Sequence, residues 1–202
     1  MVDIGAETEY QQQVFKKVQH GGEEIAGKEF YDCRFVECTF NGATFKNCRL
    51  VDCTFQKCDL SLAHLNGSAF RDTTFEKCKV VGINWTEAKW SAKTSTLYSV
   101  HFVESVLNYS TFIGLSLKGM KLTQCVAHDV DFADADLTRM DARETDFSES
   151  RFMHTNLTEA DFTGARGYAI VATLNTLKKT KFSLPEAMAL LYGLDIVLSD
   201  GA

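Results

Sequence analysis

Large apolar residues recur in this chain at every fifth position, a spacing that neither an ordinary helix nor a straight strand can serve. The first register runs through Phe30, Phe35, Phe40, Phe45, Leu50, Phe55, Leu60, Leu65, Phe70, Phe75, Val80, Trp85 and Trp90. It shifts by two residues and resumes at Leu97. From there it passes Phe102, Leu107, Phe112, Leu117, Leu122, Phe132, Leu137, Phe147, Phe152, Leu157 and Phe162, with Ala127 and Ala142 as small exceptions. All fifteen phenylalanines fall on one of these two registers, so the period belongs to the whole chain. In an α-helix five residues advance about 500°, which leaves successive centres on no common face. In a strand an odd step alternates faces. All centres can be buried only if short extended pieces are separated by turns of one sense, so that the chain winds into stacked coils around a continuous interior.

The position two before each centre is also restricted. It holds Cys33, Cys38, Ala43, Cys48, Cys53, Cys58, Ala63, Ser68, Thr73 and Cys78 in the first half, and mostly Ser, Thr, Ala or Cys later, with Leu115, Met120 and Met140 as larger departures. All seven cysteines occupy this slot. The slot therefore asks for a small, weakly polar side chain, and cysteine meets it as a compact hydrophobe. Zinc needs ligands that converge on one point, whereas a five-residue step spreads these thiols over successive sides of a coil. Stacked thiols have parallel Cβ vectors, a poor geometry for a disulfide. No metal and no cofactor is expected.

The small-x-(Leu/Phe)-x-x pattern, as in "ADLTR", "TNLTE" and "ADFTG", resembles the pentapeptide-repeat family over roughly residues 10–182. The resemblance implies an all-β solenoid, a right-handed quadrilateral β-helix with four pentapeptides per coil and a short C-terminal capping helix. Ladders such as Cys38, Cys58 and Cys78 at twenty-residue spacing agree with four sides. Seven coils at about 4.8 Å each would make a rod of roughly 34 Å. The reading divides the chain into an N-terminal cap over 1–22, solenoid segments over 23–94 and 95–182, and a C-terminal helix and strand over 183–202.

A solenoid must cover its exposed ends. The first residues read as a degenerate coil in which Phe15 and Ile25 keep the register. At the other end, in "SLPEAMALLYG", Ser183 and Glu186 fit a capping box, Pro185 suits a first turn and Gly193 suits a stop. "LDIVL" follows as a short predicted strand. This segment either caps the last coil alone or also forms a two-fold dimer, and the candidate dimer residues are Leu184, Met188, Leu191, Tyr192, Leu194, Ile196 and Val197. The two-residue slip within "WTEAKWSAKTSTL" reads as a bulge at a coil corner, too short for a functional loop, with Trp85 and Trp90 as core fillers.

Nothing in the sequence sets up catalysis. His20, His64, His101, His128 and His154 share no motif with a nucleophile and an orienting acid, and they read as surface residues. There is no apolar run of membrane-spanning length and no signal-peptide pattern, so a cytoplasmic protein is expected. The net charge of −6 argues against direct nucleic-acid binding. The charge is unevenly placed: residues 23–94 balance, while residues 128–164 carry ten acidic side chains against Arg139, Arg143 and Arg151. The candidate partner-binding residues are Asp129, Asp131, Asp134, Asp136, Asp141, Glu144, Asp146, Glu149 and Asp161. Five of them, Asp131, Asp136, Asp141, Asp146 and Asp161, directly precede a centre and should point outward to water. They are either a solubilising surface or a regular array that imitates the phosphates of duplex DNA.

"GINWTEAKW" and the run from "GYAI" through "LNTLKKTKFSLPEAMALLYGLDIVLSD" resemble members of the family that confer resistance to topoisomerase poisons, first the albicidin-resistance protein and more distantly the Qnr proteins. The resemblance implies a non-enzymatic, dimeric DNA mimic that binds bacterial DNA gyrase. The expected absence of long loops sets the chain apart from Qnr. The alternative is a scaffold with an unrelated protein partner.

Overall fold

The computed structural model describes residues 4–90, 99–194 and 196. They form a parallel β-solenoid of about 8 turns with one short helix. Each turn has four sides, and each side stacks on its counterpart twenty residues away. Six strands pair along the first side: Val14–Lys16, Arg34–Val36, Thr54–Gln56, Thr73–Glu76, Val100–Val103 and Leu122–Thr123. The fourth side begins as Glu9–Gln11, Glu29–Tyr31, Arg49–Val51 and Ala69–Arg71. Single bridges continue the second side through Gln19, Thr39, Asp59, Lys79 and Val106, and the third through Thr44 and His64.

The predicted centres form the core. Phe15, Phe30, Phe35, Phe40, Phe55, Phe75, Phe102, Phe112, Phe132, Phe147 and Phe162 have no exposed surface, and Ala127 and Ala142 are equally enclosed. Along the first side the rings of Phe15, Phe35, Phe55 and Phe75 stack at centroid distances of 4.9, 4.4 and 4.9 Å. Rings from neighbouring sides meet these edge-on, as Phe40 meets Phe35 at 5.9 Å. Trp85 is buried between Phe70, Phe75, Phe102 and Phe112. Trp90 is part-buried against the core and donates its indole N–H to the Trp85 carbonyl at 2.7 Å.

The small slot does more than save space. At a corner, the N–H of the slot residue and the carbonyl of the centre one coil below point inward. Where the slot is Cys, Ser or Thr, its side chain bridges them: Cys58 Sγ accepts from Cys38 N–H at 3.4 Å and donates to the Phe35 carbonyl at 3.3 Å. Ser68 does the same for Cys48 and Phe45, at 2.9 Å each. Reading the cysteines purely as small hydrophobes therefore left out their hydrogen bonds. Where the slot is Ala, Leu or Met, the turn closes on itself. Ala43 N–H reaches the Phe40 carbonyl, and Leu115, Met120 and Met140 N–H reach Phe112, Leu117 and Leu137. A self-closed turn needs no polar slot, which is why those three large residues are tolerated.

The break differs from expectation. Phe102 stacks on Phe75, and Cys78 N–H donates to Ser105 Oγ across 27 residues instead of 20. This coil is longer than the others by seven residues. Residues 91–98 lie outside the described residues, so the two-residue bulge is corrected to a seven-residue excess in one coil. The C-terminal helix is a 3-10 helix over Glu186–Leu194. Ser183 Oγ accepts from Gly164 N–H at 2.9 Å, tying the segment to the last coils where a capping box had been predicted. Of the predicted "LDIVL" strand, Leu194 ends this helix, Ile196 has no regular structure, and the rest lies outside the described residues.

Three substitutions test this account by urea unfolding. Phe55→Ala should cost about 3–5 kcal/mol. Cys58→Ala should cost about 1–3 kcal/mol by stranding a buried N–H and carbonyl, whereas Cys58→Ser should recover most of that loss.

Candidate functional site

The candidate surface is built from two kinds of position that a one-dimensional reading does not separate. The first is the residue directly before a centre. Asp131, Asp136, Asp141 and Asp146 stand on four different ladders, pairing onward to Arg151, Asn156, Asp161 and Arg166. One carboxylate therefore sits on each side of a single coil, a belt around the rod instead of a line along it. Asp161 stacks one coil beyond Asp141.

These five carboxylates are not free in water. Their side chains retain only 16, 29, 25, 15 and 25% exposure for Asp131, Asp136, Asp141, Asp146 and Asp161. Each accepts a hydrogen bond from the backbone N–H two residues on, at 3.0–3.4 Å, closing an Asx turn over the centre between them. Thr138, Ser148 and Thr163 add their hydroxyls at 2.6–2.7 Å. Each is also ion-paired: Asp131 with Arg151 at 3.0 Å, Asp136 with Lys118 at 3.2 Å, Asp141 with Arg143 at 2.8 Å, Asp146 with Arg166 at 3.1 Å and Asp161 with Lys181 at 3.4 Å. The expectation of outward, solvated carboxylates is corrected accordingly.

The electrostatics follow from these contacts. Burial alone would raise Asp136, Asp146 and Asp161, but the hydroxyl and N–H donors and the neighbouring cations outweigh it and hold all three below the usual carboxylate range. For Asp141 the Arg143 guanidinium is the largest influence, and it acts in the same direction.

The second kind of position is the corner residue two after a centre. Asp129, Asp134, Glu144 and Glu149 occupy corners, with φ of 53°, 58°, 57° and 60°, and all four are exposed. Glu104 and Glu144 lie on one corner with Gln124 between them, and Gln124 Nε2 donates to Glu144 at 2.9 Å. Asp129 and Glu149 lie on the next corner. Together these two corners edge the second side of the C-terminal half, with Val106 and Val126 on the side between them. In the N-terminal half the first of these corners carries Lys17, Glu37, Lys57 and Lys77. The sequence reading named these four but neither Glu104 nor Glu159, which are also exposed at such corners, and it did not see what distinguishes the set. The signal was available: among the described residues the corners at positive φ take Gly or side chains unbranched at Cβ and no Val, Ile or Thr, in keeping with a left-handed backbone.

Elsewhere the predicted residues are dispersed. His128 lies 3.3 Å from Asp146 and His154 lies 3.4 Å from Asp134, while His101 is half-buried and its Nδ1 accepts from Lys121 N–H. Among the described residues no group of His, Cys, Asp and Glu could hold a metal, and no helix is long and apolar enough to cross a membrane. Of the candidate dimer residues, Leu184 and Tyr192 are 77% and 79% exposed, Met188, Leu194 and Ile196 are exposed, and Leu191 is half-buried. Val197 lies outside the described residues.

The two kinds of carboxylate should separate experimentally. Replacing Asp136, Asp141 and Asp161 with Ala should lower thermal stability, because each loses an Asx turn and an ion pair, while Asp129→Asn, Asp134→Asn, Glu144→Gln and Glu149→Gln together should leave it nearly unchanged. The depressed aspartates bind fewer protons folded than unfolded, so their stabilisation is complete above the unfolded carboxyl value and is lost on acidification. The urea midpoint should begin to fall below about pH 4, less steeply in the Asp136, Asp141, Asp161 variant.

Comparison with known proteins places this geometry. A pentapeptide repeat region model matches residues 28–97, and a model of pentapeptide repeats in 8 copies matches residues 131–166. No match is found among curated protein sequences. Among solved structures, full-length QnrB1, a plasmid-mediated fluoroquinolone resistance protein, superposes with a TM-score of 0.66 at 20% identity, covering 93% of this chain and 100% of that one. A trypsin-treated QnrB1 variant gives 0.66 at 21% identity over 95% of this chain and 92% of that one. Five-residue period, four-sided coil and family matches agree, and the chain belongs to the pentapeptide-repeat family.

Proposed function

We propose that this protein is a non-enzymatic DNA mimic that binds bacterial DNA gyrase and so confers resistance or immunity to a topoisomerase poison, albicidin-like or quinolone-like. The observation that carries the reading is the exposed carboxylates on the two corners of the second side, Glu104 and Glu144 facing Asp129 and Glu149, on a rod with the fold of a fluoroquinolone resistance protein. A cleft evolved to grip two phosphate lines would meet two edges rich in negative charge, with Val106, Val126 and the His128–Asp146 pair on the side between them. The belt aspartates hold the turns that present those edges. A homodimer through the C-terminal segment fits the exposure of Leu184, Met188 and Tyr192, since an apolar surface of that kind is usually covered by a partner.

A scaffold for an unrelated protein partner is the second reading. It is favoured by one observation: the five belt carboxylates are ion-paired and encircle the rod, which removes much of the linear charge that the composition suggests.

Supercoiling of relaxed plasmid by purified gyrase, with and without albicidin or a quinolone, decides between them. The proposal expects the protein to inhibit supercoiling, or to relieve drug inhibition, at micromolar concentration or below, with the effect weakened by added salt. No effect of either kind at low salt would favour the scaffold. Sedimentation should show a dimer for the native chain and a monomer for Leu184→Asp with Tyr192→Asp.

A further inference from the structure

The corner between the second and third sides breaks the rule that the other corners obey. Up the rod it reads Gly22, Gly42, Leu62, Gly82 and Tyr109, one residue per coil, and continues as Asp129 and Glu149. All of them have positive φ, with Leu62 at 59° and Tyr109 at 62°. A left-handed backbone suits glycine and tolerates Asn or Asp, but a bulky side chain there carries strain. Among the described residues, every other non-glycine corner at positive φ is polar or charged. Leu62 and Tyr109 are nevertheless 63% and 67% exposed, so the core gains little from either. The two positions thus combine backbone strain with exposed apolar surface, a pairing that points to use outside the fold.

The intervening glycine makes them continuous. A Cβ at Gly82 would stand 2.8 Å from Leu62 Cδ2, so the leucine lies along the edge over Gly82, toward Tyr109. Beyond Tyr109 the same edge turns acidic, and neither Asp129 nor Glu149 has an ion-pair partner among the described residues. At one coil per about 4.8 Å, the edge from Leu62 to Glu149 spans about 19 Å, the reach of some six extended residues.

We propose that this edge is a docking ridge for a protein segment that presents an apolar side chain followed by lysine or arginine. The apolar group would seat on Leu62, Gly82 and Tyr109, and the cation on Asp129 and Glu149. Charge complementarity selects this occupant: an acidic segment would be repelled at the upper end, and a purely polar one would gain nothing at the lower. The inference shares Asp129 and Glu149 with the gyrase reading but does not rest on it, since the peptide titration contains no gyrase and its apolar contacts, Leu62 and Tyr109, lie outside that reading.

The test uses amide chemical shifts of the full-length protein and three twelve-residue peptides: one with Leu and Phe beside two lysines, one with glutamates in place of the lysines, and one with serines in place of Leu and Phe. Each is made in both chain directions. The apolar-basic peptide should shift the amides of residues 62, 82, 109, 129 and 149 and bind at least about tenfold tighter than the other two. Leu62→Asn with Tyr109→Asn should abolish those shifts while the unfolding temperature stays within about 2 °C of the native value, since asparagine accepts the left-handed corner. No shifts, shifts centred elsewhere, or equal binding of the acidic peptide would overturn the proposal. So would a larger fall in unfolding temperature, which would make Leu62 and Tyr109 supports of the rod.

Discussion

Every coil of this protein must satisfy its backbone polar groups on the coil above and the coil below. Parallel pairing along the four sides does this for most of them, as in the register Phe15, Phe35, Phe55, Phe75 and Phe102. At the corners the left-handed residue still reaches the next coil, as Gln12 N–H reaches the Tyr31 carbonyl, but the slot N–H falls outside the ladders and needs its own answer. Two answers serve it: a bridge from the Cys, Ser or Thr side chain one coil on, or a turn closed by its own backbone. Ser68, Ser110 and Ser150 give the first to the coil below while using the second themselves. The composition of the chain follows from that choice. The cysteines are buried thiols that serve as corner donors and acceptors, and burial pushes Cys125 up to about 12, keeping it neutral.

With the interior committed to aromatic and aliphatic stacks and the corners to turn closure, partner chemistry is left to the outer skin. Even there, structure claims part of the charge. The aspartates before the centres close turns and hold cations, while the acids at left-handed corners are more exposed and close no turn, although Glu104 pairs with Lys77 and Asp134 with His154. A stretch of ten acidic residues thus divides into a structural belt of five and an exposed corner set of five. Charge counts along a solenoid say little about field until each residue is assigned to its side and corner.

The fold was legible in the sequence because one period governs it: Phe at fixed steps, a restricted slot two residues before, and twenty-residue ladders of cysteine. The seven-residue excess was not legible, because a shift of two and a shift of seven look alike when counted in fives, and only the stacking of Phe102 on Phe75 separates them. The capping box failed for a related reason. Ser183 had a better partner in Gly164 N–H, nineteen residues away, which local pattern reading cannot see. At the candidate site the acids could be named from the sequence, but their sorting depends on backbone sign at the corners, which the absence of β-branched residues there encodes.

The central functional claim is that partner contact falls on the second side with its exposed acidic corners and not on the belt aspartates of the other three sides. Hydroxyl-radical footprinting of the rod with and without purified gyrase tests it most directly. Protection confined to peptides carrying Glu104, Asp129, Glu144 and Glu149 and the side between them is the predicted result. Protection on the opposite sides, or an unchanged footprint at a concentration that alters supercoiling, would contradict it.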